Sequence, residues 1–123
     1  MNDTPLKATC QCGAVELSVH LSDGLATARR CNCSYCARRG AIAVSAPVEK
    51  VHVVRGRETL TLYQWGTGTA KHYFCSICGI YTHHQRRSNP KECGINAACL
   101  EGVDVSKLEN VPWADGVNHI SDR

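Results

Sequence analysis

The sequence predicts a small all-β domain built around groups of cysteines. Short segments rich in β-branched and aromatic residues recur between turn signals, as in all-β proteins. Seven of the nine cysteines also stand in closely spaced groups. With 123 residues the chain is long enough for one domain and too short for two. We therefore expect a single domain over residues 1–123, with short helical turns between the strands.

The strand predictions depend on alternation and on turn residues. Val15, Leu17 and Val19 alternate with polar residues and are predicted to share one face of a strand. The predicted strands cover residues 7–20 (interrupted by the first cysteine pair), 25–30, 41–46, 51–55, 60–65, 71–75, 80–84 and 94–100. Helical turns are predicted at 34–39, ended by Gly40, and at 105–109. The tail from residue 112 carries no clear signal.

Composition and charge narrow the function classes. The formal net charge of +3 is spread along the chain and does not indicate nucleic-acid binding. The longest apolar run is far too short to span a membrane, and residues 1–7 contain no apolar run typical of a signal peptide. The sequence leaves the oligomeric state open.

The cysteine content favours zinc over disulfides. Nine is an odd number, and C-x-C and C-x-x-C pairs are poor disulfide partners but good metal ligands. Zinc thiolates point to a reducing compartment, and we expect the cytoplasm. Because only two Trp, four Tyr and one Phe are available for the core, we expect the fold to depend on metal for stability.

Two cysteine pairs resemble each other, because each ends in glycine: Cys10-Gln11-Cys12-Gly13 and Cys75-Ser76-Ile77-Cys78-Gly79. Glycine at that position lets the backbone turn so that amide N–H groups face a metal-bound sulfur. We therefore group Cys10, Cys12, Cys75 and Cys78 into one structural zinc site. Such a site would connect the first strand to a hairpin more than sixty residues later.

The segment Cys31-Asn32-Cys33-Ser34-Tyr35-Cys36 supplies three more ligands from one short loop. Three protein ligands leave the fourth position of zinc open to water or substrate. Cys93, Cys99 or a histidine could instead complete this second site. His83 and His84 are adjacent in a predicted strand, so they point to opposite faces and cannot act as a simple pair.

In this order and spacing, the three cysteine motifs resemble the glutathione-dependent formaldehyde-activating enzyme (GFA) family, which includes centromere-protein-V-like domains. The resemblance covers a motif core of about residues 7–102, including an Asn96 to Gly102 match to N-x-x-C-L-x-G. It implies an antiparallel, tent-like all-β fold with one structural and one catalytic zinc, two per chain. Cys31, Cys33 and Cys36 would then be the catalytic set, in a carbon–sulfur lyase or an enzyme that joins formaldehyde to glutathione.

The donor set agrees with sulfur chemistry. Three thiolates on a divalent ion give a formal charge of about −1, so this centre should acidify water less than a three-histidine site does. A soft centre prefers a soft ligand such as a substrate thiol, whose thiolate form is the nucleophile. The flanking arginines could attract the carboxylates of a glutathione-like thiol, or they could be solvated surface charges: Arg29, Arg30, Arg38 and Arg39.

Two other functions fit the same residues. In the first, both zinc ions are structural and the domain is a non-catalytic interaction module, which a filled fourth position would favour. In the second, the protein is a redox or metal-buffering protein that uses Cys93 and Cys99 as spare thiols, and it should then form disulfides readily and reversibly.

Overall fold

The structure is a computed structural model that describes residues 4–117. In this part of the chain, ten strands form three sheets and one short α-helix follows the third strand. The strands are β1 (Leu6–Thr9), β2 (Glu16–Val19), β3 (Arg30–Cys31), β4 (Ala43–Pro47), β5 (Val51–Arg55), β6 (Leu60–Tyr63), β7 (Lys71–Cys75), β8 (Tyr81–Gln85), β9 (Glu92–Asn96) and β10 (Trp113–Ala114). The prediction of an all-β, mainly antiparallel fold is confirmed.

The largest sheet has five strands in the order β4-β9-β8-β7-β6. Strands β6 to β9 follow one another as antiparallel neighbours, and β4 pairs with the far side of β9. A three-stranded antiparallel sheet has the order β1-β2-β5. The third sheet is the parallel pair of β3 and β10.

The hydrophobic core joins the two larger sheets. Val15, Leu17 and Val19 are at most 1% exposed, so the inward face that alternation predicted is confirmed. They share one buried cluster with Val44 of β4 and Ile95 of β9, both fully buried. Apolar burial of this kind contributes about 25 cal/mol per Å². The core contains aliphatic side chains and cysteines in place of large aromatic rings.

The helix α1 covers Ser34–Arg39, as predicted, and begins directly inside the three-cysteine segment. Gly40 ends it in the left-handed conformation with a φ of 69°, and its amide donates to the Cys36 carbonyl. Four short 3₁₀ turns complete the described structure: Val48–Lys50, Arg57–Thr59, Ala97–Cys99 and Val105–Lys107. No helix within residues 4–117 is long and apolar enough to cross a membrane.

The predicted strand at 25–30 is wrong. Residues 25–28 form a turn, in which the Ala28 amide donates to the Leu25 carbonyl at 3.1 Å. Arg29 makes an isolated antiparallel bridge with Ala43, and only Arg30 and Cys31 form a strand. Their partner is β10, in the tail where no strand was predicted. A two-residue strand is too short to show alternation, and its pairing partner lies about eighty residues away.

The predicted last core strand, 94–100, is shifted and shortened to β9, Glu92–Asn96. The Asn96 side chain accepts a hydrogen bond from the Ala98 amide at 3.1 Å and thereby starts a 3₁₀ turn. Asparagine favours such local caps over continuation of a strand. The predicted helix at 105–109 is likewise a 3₁₀ turn, and the strand predicted to reach residue 65 ends at Tyr63.

The first cysteine turn is fixed against the end of β5. Arg55 donates to the Gly13 carbonyl through Nε at 3.2 Å and Nη2 at 2.8 Å. Gly56, with a φ of 89°, lies so close to the Ala14 backbone that a Cβ there would overlap the Ala14 carbonyl. These contacts hold the turn that carries Cys12 in place.

Candidate metal centres

The four cysteines that we predicted to form one site lie close together in the structure. The sulfur atoms of Cys10, Cys12, Cys75 and Cys78 all lie within 4.8 Å of one another. Two of these Sγ–Sγ distances, Cys10 to Cys12 and Cys12 to Cys75, are 3.7 Å. Cys10 follows β1 and Cys75 ends β7, so the group connects the three-stranded sheet to the β7–β8 hairpin.

The glycine in each pair adopts the conformation that the sequence predicted. Gly13 has a φ of 81° and Gly79 a φ of 77°, values that favour glycine because it lacks a Cβ. The Val15 amide donates to Cys10 Sγ at 3.3 Å, and a second backbone amide reaches Cys75 Sγ at 3.4 Å. Such N–H groups stabilise thiolates, as metal ligands require.

Cys31, Cys33 and Cys36 form a second group, also with all sulfurs within 4.8 Å of one another. Cys31 lies on β3 and Cys36 in the first turn of α1. Cys33 is the N-cap of that helix, and its Sγ accepts a hydrogen bond from the Cys36 amide at 3.3 Å. The strand, the cap and the helix turn therefore bring three thiols together from six residues.

Within residues 4–117, no fourth cysteine, histidine or carboxylate joins this group. Cys99 Sγ faces the Tyr81 carbonyl at 3.6 Å, and Cys93 lines a separate cavity of about 320 Å³. Burial raises the pKa of each of these two thiols to about 11. His119 lies outside the described residues.

His83 and His84 point to opposite sides of β8, as predicted. His83 stacks on Tyr73 with ring centroids 4.7 Å apart and lines the cavity of Cys93. His84 stacks on His72 at 5.3 Å and lines the cavity beside the three cysteines.

The three-cysteine group opens onto a cavity of about 140 Å³. Five arginines line this cavity: Arg29, Arg30, Arg39, Arg86 and Arg87. Three of the four arginines singled out from the sequence are therefore at the site. Arg38 is not, because it is exposed and donates to the Ser34 carbonyl on its own helix. The sequence analysis missed Arg86 and Arg87, which follow β8 in a segment that resembled an ordinary polar loop.

Some of these arginines already have protein partners. Arg29 donates to Ser45 Oγ at 2.9 Å, and burial lowers its pKa. Arg86 pairs with Glu92. Arg30 donates to the Gly40 carbonyl at 3.1 Å. The cavity therefore has a positive lining that is partly fixed in place by the fold.

An aromatic and imidazole wall also borders the cavity, and sequence reasoning missed it. His72 and Trp65 line the cavity, and Tyr35, which does not line it, packs against His72 at 4.6 Å and stacks with Tyr63 at 5.2 Å. His72 and His84 are paired in the β7–β8 register. Regular pairing outward from the Cys75 turn would have placed His72 opposite His83, and only a register shift between Tyr73 and Phe74 brings it opposite His84.

Both cavity histidines are neutral at pH 7. Burial, together with the positive charges of Arg39 and Arg87, lowers the pKa of His72 to about 4. Burial also lowers the pKa of His84, whose Nδ1 lies 2.6 Å from the Tyr81 hydroxyl. A guanidinium can only donate, so His72 Nδ1, 3.2 Å from Arg39 Nη1, accepts, and the ring proton resides on Nε2.

The thiols of the second group do not ionise independently. A hydrogen bond from Cys36 lowers the pKa of Cys31 to about 5. The same contact, together with burial, raises the pKa of Cys36. The thiolate form is therefore favoured at Cys31 and the thiol form at Cys36, so a metal ion that binds both must displace the Cys36 proton.

The tail forms part of this centre. The Asn32 side-chain oxygen accepts hydrogen bonds from the Gly116 and Val117 amides, at 2.7 and 3.2 Å. A Cβ added at Gly116 would lie 2.5 Å from Cys31 Sγ and 2.7 Å from Cys33 Cβ. The tail backbone can therefore approach the cysteine loop this closely only with glycine at this position.

Gly116→Ala is expected to push the tail away from the loop and weaken metal binding at the three-cysteine group. Because overpacking costs typically ~1–3 kcal/mol, we expect about 10- to 100-fold faster metal loss from this group and little change at the four-cysteine group. Chelator-release kinetics would measure both phases, with Val117→Ala as control. Unchanged release from the three-cysteine group would contradict this role of Gly116.

Both donor sets fit zinc. Four thiols within 4.8 Å match a closed structural site, and three thiols beside a cavity match a site with one open position. Hard cations such as Mg²⁺ prefer oxygen ligands, which neither group contains.

The fold and the two cysteine groups define a class: small all-β proteins with one four-cysteine and one three-cysteine cluster suited to metal. The family model described as glutathione-dependent formaldehyde-activating enzyme matches residues 5–113, and the chain belongs to this GFA family. The resemblance found in the sequence is thereby confirmed. The chain is also similar to the crystal structure of a Rhodobacter sphaeroides protein from a structural genomics programme. The two chains are 64% identical with a TM-score of 0.86, and the match covers 88% of this chain and 99% of that one.

Proposed function

We propose that this protein is a zinc-dependent carbon–sulfur lyase-type enzyme that acts on a thiol adduct of the glutathione–formaldehyde kind. Cys31, Cys33 and Cys36 would hold the catalytic zinc. A second, structural zinc would be held by Cys10, Cys12, Cys75 and Cys78. The main support is that three converging thiols border a positively lined cavity and no fourth donor from residues 4–117 joins them.

The cavity suits an anionic thiol. Zinc at the three-cysteine group would supply a soft Lewis acid that favours the thiolate form of a substrate thiol. The arginines of the lining offer guanidinium groups to carboxylates, which they can bind through two parallel hydrogen bonds. Glutathione has two carboxylates and one thiol, so it is the first substrate to test.

The reaction requires one proton to move between sulfur and oxygen. In the forming direction, the thiol sulfur bonds to the aldehyde carbon, the C=O π bond breaks, and the thiol proton ends on the new hydroxyl. A neutral imidazole can accept a proton and return it. His72 and His84 line the cavity, but their lowered pKa values disfavour the protonated form, so they are weak proton acceptors and would act mainly as neutral hydrogen-bond partners of the substrate.

Exposure of the zinc-loaded protein to a panel of thiols is expected to add one sulfur to the coordination sphere of one zinc. X-ray absorption would measure zinc–sulfur coordination with and without thiol. Turnover of S-hydroxymethylglutathione and related thioethers would then be followed, with Cys33→Ser as control. If no thiol binds zinc and no carbon–sulfur bond is made or broken, a non-catalytic interaction module becomes the better description.

A further inference from the structure

We propose that Arg39 is a positioning residue that supports thiol binding at the three-cysteine centre by offsetting its negative charge. This inference rests on the proposed function and assigns a specific task to one side chain. Arg39 is the last residue of α1, one turn beyond Cys36. Its Nη2 donates to Cys36 Sγ at 3.3 Å, so its charge lies directly beside a candidate metal ligand.

The guanidinium is held in place on several sides. Its carbon atom lies 3.6 Å from the centre of the Tyr81 ring and 4.9 Å from that of Tyr35. Nη1 contacts His72 Nδ1 at 3.2 Å. Contact with aromatic faces stabilises a cation, most strongly where water is excluded. The Arg39 charge is therefore fixed next to the sulfur.

Burial makes this contact more important. The Arg39 Nε atom is buried and has no hydrogen-bond partner among the described residues. Tyr81, below the guanidinium, is only 6% exposed. A charge removed from water is costly unless an opposite charge lies close to it. The thiolates of the three-cysteine group supply that opposite charge.

The charge balance explains the need for a cation at this position. Three thiolates on a divalent ion carry a formal charge of about −1, and a substrate thiolate would bring it to about −2. In a partly buried site the second negative charge is unfavourable without compensation. A hydrogen bond from guanidinium to sulfur is charge-assisted and therefore stronger than a neutral one. Arg39 thus favours the thiol-bound state of the centre.

This role predicts a pattern of selectivity. Arg39 contacts the metal-ligand side of the cavity, so it should affect every thiol, with or without a carboxylate. Arg30 lines the cavity but donates to the Gly40 carbonyl and lies 6.0 Å over the Trp113 ring. Its charge should therefore act mainly on a carboxylate of the substrate.

The experiment compares Arg39→Met with Arg38→Met in the full, metal-loaded chain. Arg38 is a matched control because it lies on the same helix, is exposed and does not line the cavity. Two probes of similar size are used: neutral 2-mercaptoethanol and anionic 3-mercaptopropionate. Thiol binding is read from the sulfur-to-cobalt charge-transfer band of the cobalt-substituted protein, and zinc retention from chelator competition.

We expect Arg39→Met to weaken the binding of both thiols by similar factors, about 10- to 100-fold. It should also lower the zinc affinity of the three-cysteine group by about 10- to 100-fold. Arg30→Met should weaken the binding of 3-mercaptopropionate more than the binding of 2-mercaptoethanol. If Arg39→Met matches Arg38→Met for both thiols and for zinc, the role of Arg39 is overturned. If instead the wild-type protein binds neither thiol, the result contradicts the proposed function itself, and the role of Arg39 falls with it.

A second pair of variants is decisive if Arg39→Met does not fold, as judged by circular dichroism and zinc at the four-cysteine site. Arg39→Lys keeps the charge, and Arg39→Gln keeps an N–H donor without charge. The proposal requires the lysine variant to bind both thiols more tightly than the glutamine variant does. Equal binding by the two variants would overturn it.

Discussion

Cys75→Ser is expected to unfold the protein or leave it only partly folded at room temperature. The Cys75 side chain is fully buried at the end of β7 and belongs to the group that connects β1 to the β7–β8 hairpin. Structural zinc contributes about 10–16 kcal/mol in zinc-finger peptides, whereas a whole domain is stable by only about 5–15 kcal/mol. If loss of the Cys75 ligand abolishes zinc binding at this site, the stability lost is comparable to the total stability of a domain.

Circular dichroism and zinc content per chain would measure this effect. Cys93→Ser is the matched control, because Cys93 is also buried but belongs to neither sulfur group. It should cost only about 1–3 kcal/mol, the typical effect of a buried hydroxyl in an apolar site. A folded Cys75→Ser protein that retains two zinc ions would show that the four-cysteine group is not the structural site.

Cys33→Ser is expected to remain folded while losing one zinc equivalent and essentially all turnover. The three-cysteine group is drawn from one six-residue segment, so its metal does not hold distant sheets together. Serine is also a preferred N-cap, so it can replace the Cys33 sulfur that caps α1. The melting temperature should therefore fall much less than in Cys75→Ser.

The two groups should also lose metal in a fixed order. A chelator is expected to remove zinc first from the group of Cys31, Cys33 and Cys36, which opens onto the cavity, and only later from the closed group. Zinc analysis after timed chelation would establish the order. If Cys33→Ser unfolds the protein as readily as Cys75→Ser, the division into structural and catalytic sites is wrong.

Local signals account for the predictions that the structure confirmed. The three-cysteine group was predictable from spacing within six residues, and the four-cysteine group from two local pairs that each end in glycine, as was the α1 turn ended by Gly40. Alternation identified the buried face of Val15, Leu17 and Val19 because a strand repeats every two residues. The single domain over residues 1–123, the cytoplasmic location and the metal-ligand roles stay predictions.

The sequence by itself determined the all-β class, the grouping of seven cysteines and the family. Only the tertiary structure decided what surrounds the three-cysteine group: the Gly116 tail, the His72–His84 pair and the Arg39 contact with Cys36. The physical reason is distance along the chain. Metal-ligand spacing and strand periodicity are encoded within a few residues. The cavity lining is assembled from segments that are far apart in sequence and become neighbours only when the sheets pack.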